Sequence, residues 1–156
     1  MPATYEPIAT TTTSGSATSI TFSSISGSYT DLVLVVNLAG TVSPVNGLVR
    51  FNSDTGSNYS DTRLYGEGTN AVSDRLTNKT SANYLVSDYA THIFSIQNYS
   101  NTTTYKTMIL KYADPANYVG ATVSLWRSTA AINAVALSGF TFPNGSTATL
   151  YGIKAA

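Results

Sequence analysis

Runs of β-branched, apolar and small polar residues, each ended by a cluster of Gly, Pro, Asn or Ser, organise the chain from Ser19 onward. Short runs at this regular spacing predict a two-sheet all-β domain. The pattern places strands near 19–25, 31–39, 47–52, 60–65, 92–98, 104–112, 119–127, 134–141 and 147–154. The segments between them carry turn chemistry, as in Ser43-Pro44-Val45-Asn46-Gly47, Asp54-Thr55-Gly56-Ser57-Asn58, Asp114-Pro115-Ala116-Asn117 and Pro143-Asn144-Gly145-Ser146. Gly accepts positive φ, Pro fixes φ, and Asn and Asp bond to nearby backbone. Asn-Gly at 46–47 and 144–145 is the pair expected in tight hairpins. Residues 66–91 are the least regular stretch and read as a long insertion with one helical turn near Ala71 to Leu76. No segment repeats its apolar positions at a 3.6-residue period over helical length.

Residues 1–18 follow a different pattern. Pro2 and Pro7 hold their neighbours extended, Thr10 to Thr13 is a β-branched run, and Tyr5 and Ile8 are the larger apolar side chains. The expected architecture is therefore all-β, an antiparallel β-sandwich of jelly-roll type at 19–156 preceded by an extended N-terminal arm at 1–18. Strand number alone fits both a plain sandwich and a jelly roll.

Alternation within strands predicts which side chains meet the core. In 31–39, Leu32, Leu34, Val36 and Leu38 form one apolar face, yet Val33 and Val35 make the opposite face apolar too. A strand apolar on both faces is covered on both, here by the N-terminal arm, by the 66–91 insertion or by a neighbouring chain. In 119–127, Val119, Ala121, Val123 and Leu125 read as the core face, which turns Gly120, Thr122, Ser124 and Trp126 outward.

Composition removes several function classes. Charged residues are 10% of the chain and formal net charge is zero, while Thr, Ser and Asn together fill more than a third of all positions. Without a basic stripe, nucleic acid is a poor partner. The absence of cysteine excludes disulfides, thiolate metal sites and a thiol nucleophile. The longest apolar run, Leu32 to Val36, is too short to cross a membrane, and the first residues lack the cationic start and apolar core of a secretion signal. The expectation is a soluble protein made in a cytoplasm.

The catalytic inventory is thin. The single histidine, His92, alternates with Phe94 and Ile96 and reads as a core or edge residue. No Gly-x-Ser-x-Gly elbow presents a serine nucleophile, and Glu67 with Asp88 is the best available pair for glycosidase chemistry. Asn52 to Asn58 spaces oxygen-bearing side chains around Gly56 as a calcium loop does, but lacks the closing Glu, so an Asx-rich turn explains it more simply. Eleven tyrosines and Trp126 offer stacking platforms for glycan, a use that composition does not separate from protein interfaces. The Asn-x-Ser/Thr sequons at Asn58, Asn78, Asn98, Asn101 and Asn144 follow from the abundance of those residues. No catalytic residue, cofactor or metal site is expected; a structural or interaction protein remains.

Five segments carry a family resemblance. Tyr5-Glu-Pro-Ile-Ala-Thr-Thr-Thr12, Ser16-Ala-Thr-Ser-Ile-Thr-Phe-Ser-Ser-Ile25 and Ser28-Tyr-Thr-Asp-Leu-Val-Leu-Val35 resemble small virion proteins of tailed bacteriophages, especially cyanophages and other aquatic phages. Phe51 to Ser60 and Asn144 to Lys154 look like the same group. The resemblance implies a β-sandwich or jelly-roll protein serving as capsid decoration (cement) or as part of a tail fibre, with no catalytic residues to carry over. The favoured expectation is a decoration protein on the capsid exterior, a homo-oligomer, most naturally a trimer at local three-fold positions, bound to the major capsid protein. Tyr5, Ile8, Val33, Val35 and Trp126, with loop 66–91, are the expected contact residues. The alternative is a receptor-binding or fibre-tip module, with Trp126 and loop tyrosines stacking on host polysaccharide.

Overall fold

The computed structural model describes residues 5–114 and 118–154, and every regular element within them is a strand. In chain order these are β1 (Tyr5–Thr12), β2 (Ala17–Phe22), β3 (Asp31–Asn37), β4 (Val45–Phe51), β5 (Tyr59–Gly66), β6 (Ala71–Lys79), β7 (Ala82–Val86), β8 (Thr91–Gln97), β9 (Lys106–Asp114), β10 (Tyr118–Trp126), β11 (Val135–Phe142) and β12 (Thr147–Ile153). They form two antiparallel sheets, one ordered β1-β12-β3-β8-β9-β10-β5-β6 and the other β2-β11-β4-β7. All nine runs read from the sequence fall on strands.

The core lies between the sheets. Leu32, Leu34 and Val36 of β3, Phe94 and Ile96 of β8 and Leu150 of β12 form one buried cluster with residues of the smaller sheet, among them Ile20, Phe22, Val49, Phe51, Val135 and Leu137. Each such side chain contributes about 1.5–3 kcal/mol on burial. The alternation of β3 thus predicts its inward side correctly.

Three expectations are corrected. Residues 5–12 are extended, as their prolines and threonines imply, but they do not project as an arm. They pair with β12 from Tyr5↔Ile153 to Thr12↔Thr147 and form one edge of the large sheet. A bulge between Pro7 and Ala9 accommodates proline, which has no N–H to give a ladder, and an edge position tolerates it. Thr13 fastens the following turn, its hydroxyl donating to the Pro143 carbonyl at 2.6 Å. The first four residues of the expected arm, and Pro115 to Asn117 of the expected turn, lie outside the described residues.

The 66–91 insertion holds two strands and no helical turn. In β6, half-buried Val72, Asp74 and Leu76 alternate with exposed Ala71, Ser73 and Arg75. The period of two is hidden in the sequence because the inward residue Asp74 is charged; it is matched by Arg63 of β5, whose Nε donates to Oδ1 at 2.8 Å. The Asn-Gly pairs are not hairpin turns. Gly47 lies inside β4 beneath the Tyr84 ring, where a Cβ would come within 2.3 Å of it. Gly145 does take positive φ, at 84°, but its turn leads from β11 in one sheet to β12 in the other.

β7, an edge strand of the small sheet, is clasped by side chains of the large one. The Asn83 N–H donates to Asp61 Oδ2 at 3.1 Å, and His92 Nε2–H donates to the Leu85 carbonyl at 2.8 Å. An edge strand otherwise leaves such groups unpaired. The clasp explains why polar side chains point into this end of the sandwich.

Candidate interaction surface

β10 is the key to the outer surface. It pairs with β9 and β5 along almost its whole length, which fixes Val119, Ala121 and Val123 on one face and Thr122, Ser124 and Trp126 on the other. The phase agrees with the sequence, but the direction is reversed. Thr122, Ser124 and Trp126 are buried, whereas Val119 and Val123 are 64% and 47% exposed. Inward Thr122 and Ser124 of β10 lie beside Arg63 and Asp61 at the clasped end of the interior, where polar side chains are at home, and the apolar face is left outside.

Trp126 is therefore not an outward anchor. It is 2% exposed, packs against Phe51 and Tyr59 with ring centroids 5.6 and 6.3 Å away, and donates its indole N–H to Asp54 Oδ2 at 2.6 Å. A buried indole needs such an acceptor.

Cross-strand register assembles the outer face into rows. One row runs Val35↔Ile93↔Lys111↔Ala121↔Leu64 across β3, β8, β9, β10 and β5. The next runs Val33↔Ser95↔Ile109↔Val123↔Thr62. Leu64 is 60% and Ile93 40% exposed. Around Leu64, Ile93, Lys111, Val119 and Ala121 lies a groove of about 680 Å³, with Gly66, Ala71 and Ala113 among its lining. Small side chains there leave the room that the larger ones wall in.

No described element of the chain covers this face. β1 and β6 are its two edges, and β7 belongs to the other sheet. Of the three covers expected for Val33 and Val35, the arm and the insertion are thus not found among the described residues. Val33 and Val35 stay half-buried on the outer face. Tyr5 joins them there, 57% exposed and edge-on to Tyr151 at 6.2 Å, while Ile8 packs against the core. Three of the five expected contact residues therefore share one face, and two do not. Sequence reasoning misses Leu64, Ile93, Val119 and Val123 as surface residues, because an apolar alternating run reads as core unless the polarity of the opposite face is weighed.

His92, Asp54, Asn52 and Asp88, among the other candidate residues, make structural contacts. His92 is 1% exposed beside Tyr84, Phe94 and Tyr112, and burial pushes its imidazole down to about 4, against the bond to Leu85. For Asp54, desolvation is outweighed by hydrogen bonds from Trp126, Asn58 and Gly56, so its carboxyl titrates below the ordinary range. Those bonds engage both carboxylate oxygens, which makes the 52–58 loop an Asx-rich turn. Asn52 accepts the Asn133 and Ala134 N–H groups. Asp88 accepts the Val42 N–H at 2.7 Å and ties two loops together, and Glu67 sits in the turn between β5 and β6. No group of three or more His, Asp or Glu side chains that could hold a metal ion occurs among the described residues.

No protein-family model matches the chain, and neither does any curated protein sequence.

Proposed function

We propose that the protein is a structural component of a tailed-phage virion, a capsid decoration protein that docks on the major capsid protein lattice and stabilises it. The observation that carries this reading is the outer face of the large sheet, which is largely apolar across five strands and which no described element of the chain covers. Contiguous apolar patches of this kind mark association sites, and depletion of charge is the mark of an interface core. The resemblance of the N-terminal and C-terminal segments to phage virion proteins supplies the setting.

The same proposal includes a fold reading. Strands β1 to β4, β7, β8, β11 and β12 make a jelly roll, and the hairpins β5–β6 and β9–β10 are insertions that widen one sheet. What supports this is the strand order: β1-β12-β3-β8 in one sheet and β2-β11-β4-β7 in the other, the double Greek key of that fold. The trimer at local three-fold positions and the location on the capsid exterior belong to the proposal as well. Sparse charge on the docking face implies weak sensitivity to salt.

The alternative, a polysaccharide-binding module, keeps exposed Tyr89 and Tyr105 but loses Trp126 as a stacking platform. The test is to mix purified protein with capsids that lack it and pellet the particles. Saturable co-pelleting that persists at high salt supports decoration. Protein that stays in the supernatant at every concentration overturns it.

A further inference from the structure

The outer face has a chemical signature more specific than its apolarity. Among the outward positions on the strands of the large sheet, the charged residues are Lys111, Arg75 and Asp31. Lys111 is exposed and lines the groove, and Arg75 is exposed on β6, directly beside Thr62 of β5. Neither forms an ion pair among the described residues, where the salt bridges are Arg63 with Asp74 and Lys154 with Glu6. Asp31 lies at the start of β3, away from the Val35–Asn37 end that adjoins the groove, and its carboxylate already accepts the Asn98 N–H at 2.7 Å. The groove side of this face is therefore apolar with unmatched positive charge.

That signature selects an occupant. A second copy of the chain brings the same two cations and one engaged carboxylate on this face, and its exposed Glu67 stands in the β5–β6 turn and not on a strand, so self-pairing sets no carboxylate within an extended apolar surface. A small molecule would fill the groove yet leave Val33, Ile109 and Val123 uncovered on the same face. A partner that covers both needs an extended apolar surface with a carboxylate set within it, to meet Lys111 without burying an unpaired charge. Building on the docking reading above, we propose that the groove receives an apolar segment of a different protein that carries an Asp or Glu side chain, with Lys111 as its charged partner. Ala113 and Ala121, with Gly66, give the space into which the segment's side chains enter.

The test uses the full chain and two dyes of related shape, anionic 8-anilinonaphthalene-1-sulfonate and uncharged N-phenyl-1-naphthylamine. Lys111→Glu is expected to weaken binding of the anionic dye by about five-fold or more and to leave the neutral dye unchanged. Ala121→Phe, which fills the groove, is expected to weaken both, with circular dichroism checking that each variant is folded. Anionic-dye binding that is indifferent to Lys111→Glu, or binding of both dyes that is indifferent to Ala121→Phe, overturns the proposal. Co-pelleting with capsids separates this inference from the decoration reading. If wild type pellets and Lys111→Glu pellets equally well, the charged contact is wrong and decoration stands. If wild type does not pellet, decoration fails and the dyes still judge the groove. Sedimentation completes the test: an oligomer that either variant dissociates makes the groove a self-interface and overturns the proposal, whereas one that persists in both supports it.

Discussion

β3 and β10 lie in the same sheet with β8 and β9 between them and obey opposite rules. Inward side chains of β3 are Leu32, Leu34 and Val36, each at most 1% exposed, and its outward valines are half-buried. Inward side chains of β10 are Thr122, Ser124 and Trp126, and its outward ones include the most exposed valine of the sheet, Val119. Alternation sets the phase of a strand, but what packs on each face sets its sign. Opposite β3 lies hydrocarbon from the small sheet. Near β10 lies β7, held by Asp61 and His92, so the interior there is polar and the apolar side chains of β10 face outward.

The largest effect should come from the hydrocarbon side. Leu34→Ala removes a fully buried side chain, and denaturant unfolding is expected to show a loss of about 3–5 kcal/mol. A loss under about 1 kcal/mol would mean that this half is not the tightly packed one.

On the polar side, pH is the sharper tool. Burial holds the folded His92 imidazole near 4, below its ordinary 6.5. As pH falls below 6.5 the unfolded chain takes up the proton first, so this stability is complete above 6.5 and is lost on the way down to about 4. The difference corresponds to roughly 3 kcal/mol, read as a falling unfolding midpoint across that window. Asp61 works in the opposite direction. Its buried carboxyl is pushed up, so its contribution is complete below the ordinary carboxylate value and is lost as pH rises through the folded value. Asp61→Asn should therefore steepen the measured acid loss by removing the opposing term.

A smaller effect is expected from Arg63→Met. It leaves Asp74 and the Asn46 side-chain oxygen without their donor, at a cost of about 1–3 kcal/mol by chemical unfolding. The smallest concern the two faces of β10 itself. The buried Thr122 hydroxyl has no hydrogen-bond partner among the described residues, so Thr122→Val is expected to be neutral or mildly stabilising. Val123→Thr on the outer face should change stability by no more than about 0.5 kcal/mol. A large loss from Val123→Thr in the isolated chain would mean that the outer face already supports the fold.

Much of the fold is legible in the sequence because it rests on local signals. The alternation of β3 and β8, the turn residues at 52–58 and the missing helical period follow from side-chain chemistry that acts within a few residues. β6 is illegible because Asp74 breaks the apolar alternation, and only Arg63 on the neighbouring strand makes it an inward residue. β1 reads as an arm because nothing in Tyr5–Thr12 announces β12 as its partner. The apolar outer face is legible at Val33 and Val35, where the strand is apolar on both sides. It is hidden at β10, where the cause of the reversal is the contact of β7 with a different sheet, a long-range fact that no window of sequence contains.

The proposal stands or falls on whether the outer face of the large sheet meets a partner. The most direct test is cryo-microscopy of capsids reconstituted with the protein. The expected result is regular density in which the Val35–Ile93–Lys111–Ala121–Leu64 row is in contact with another polypeptide and a carboxylate lies beside Lys111. Particles decorated through the outer face of the small sheet or through the loops, with that row left in solvent, would contradict it.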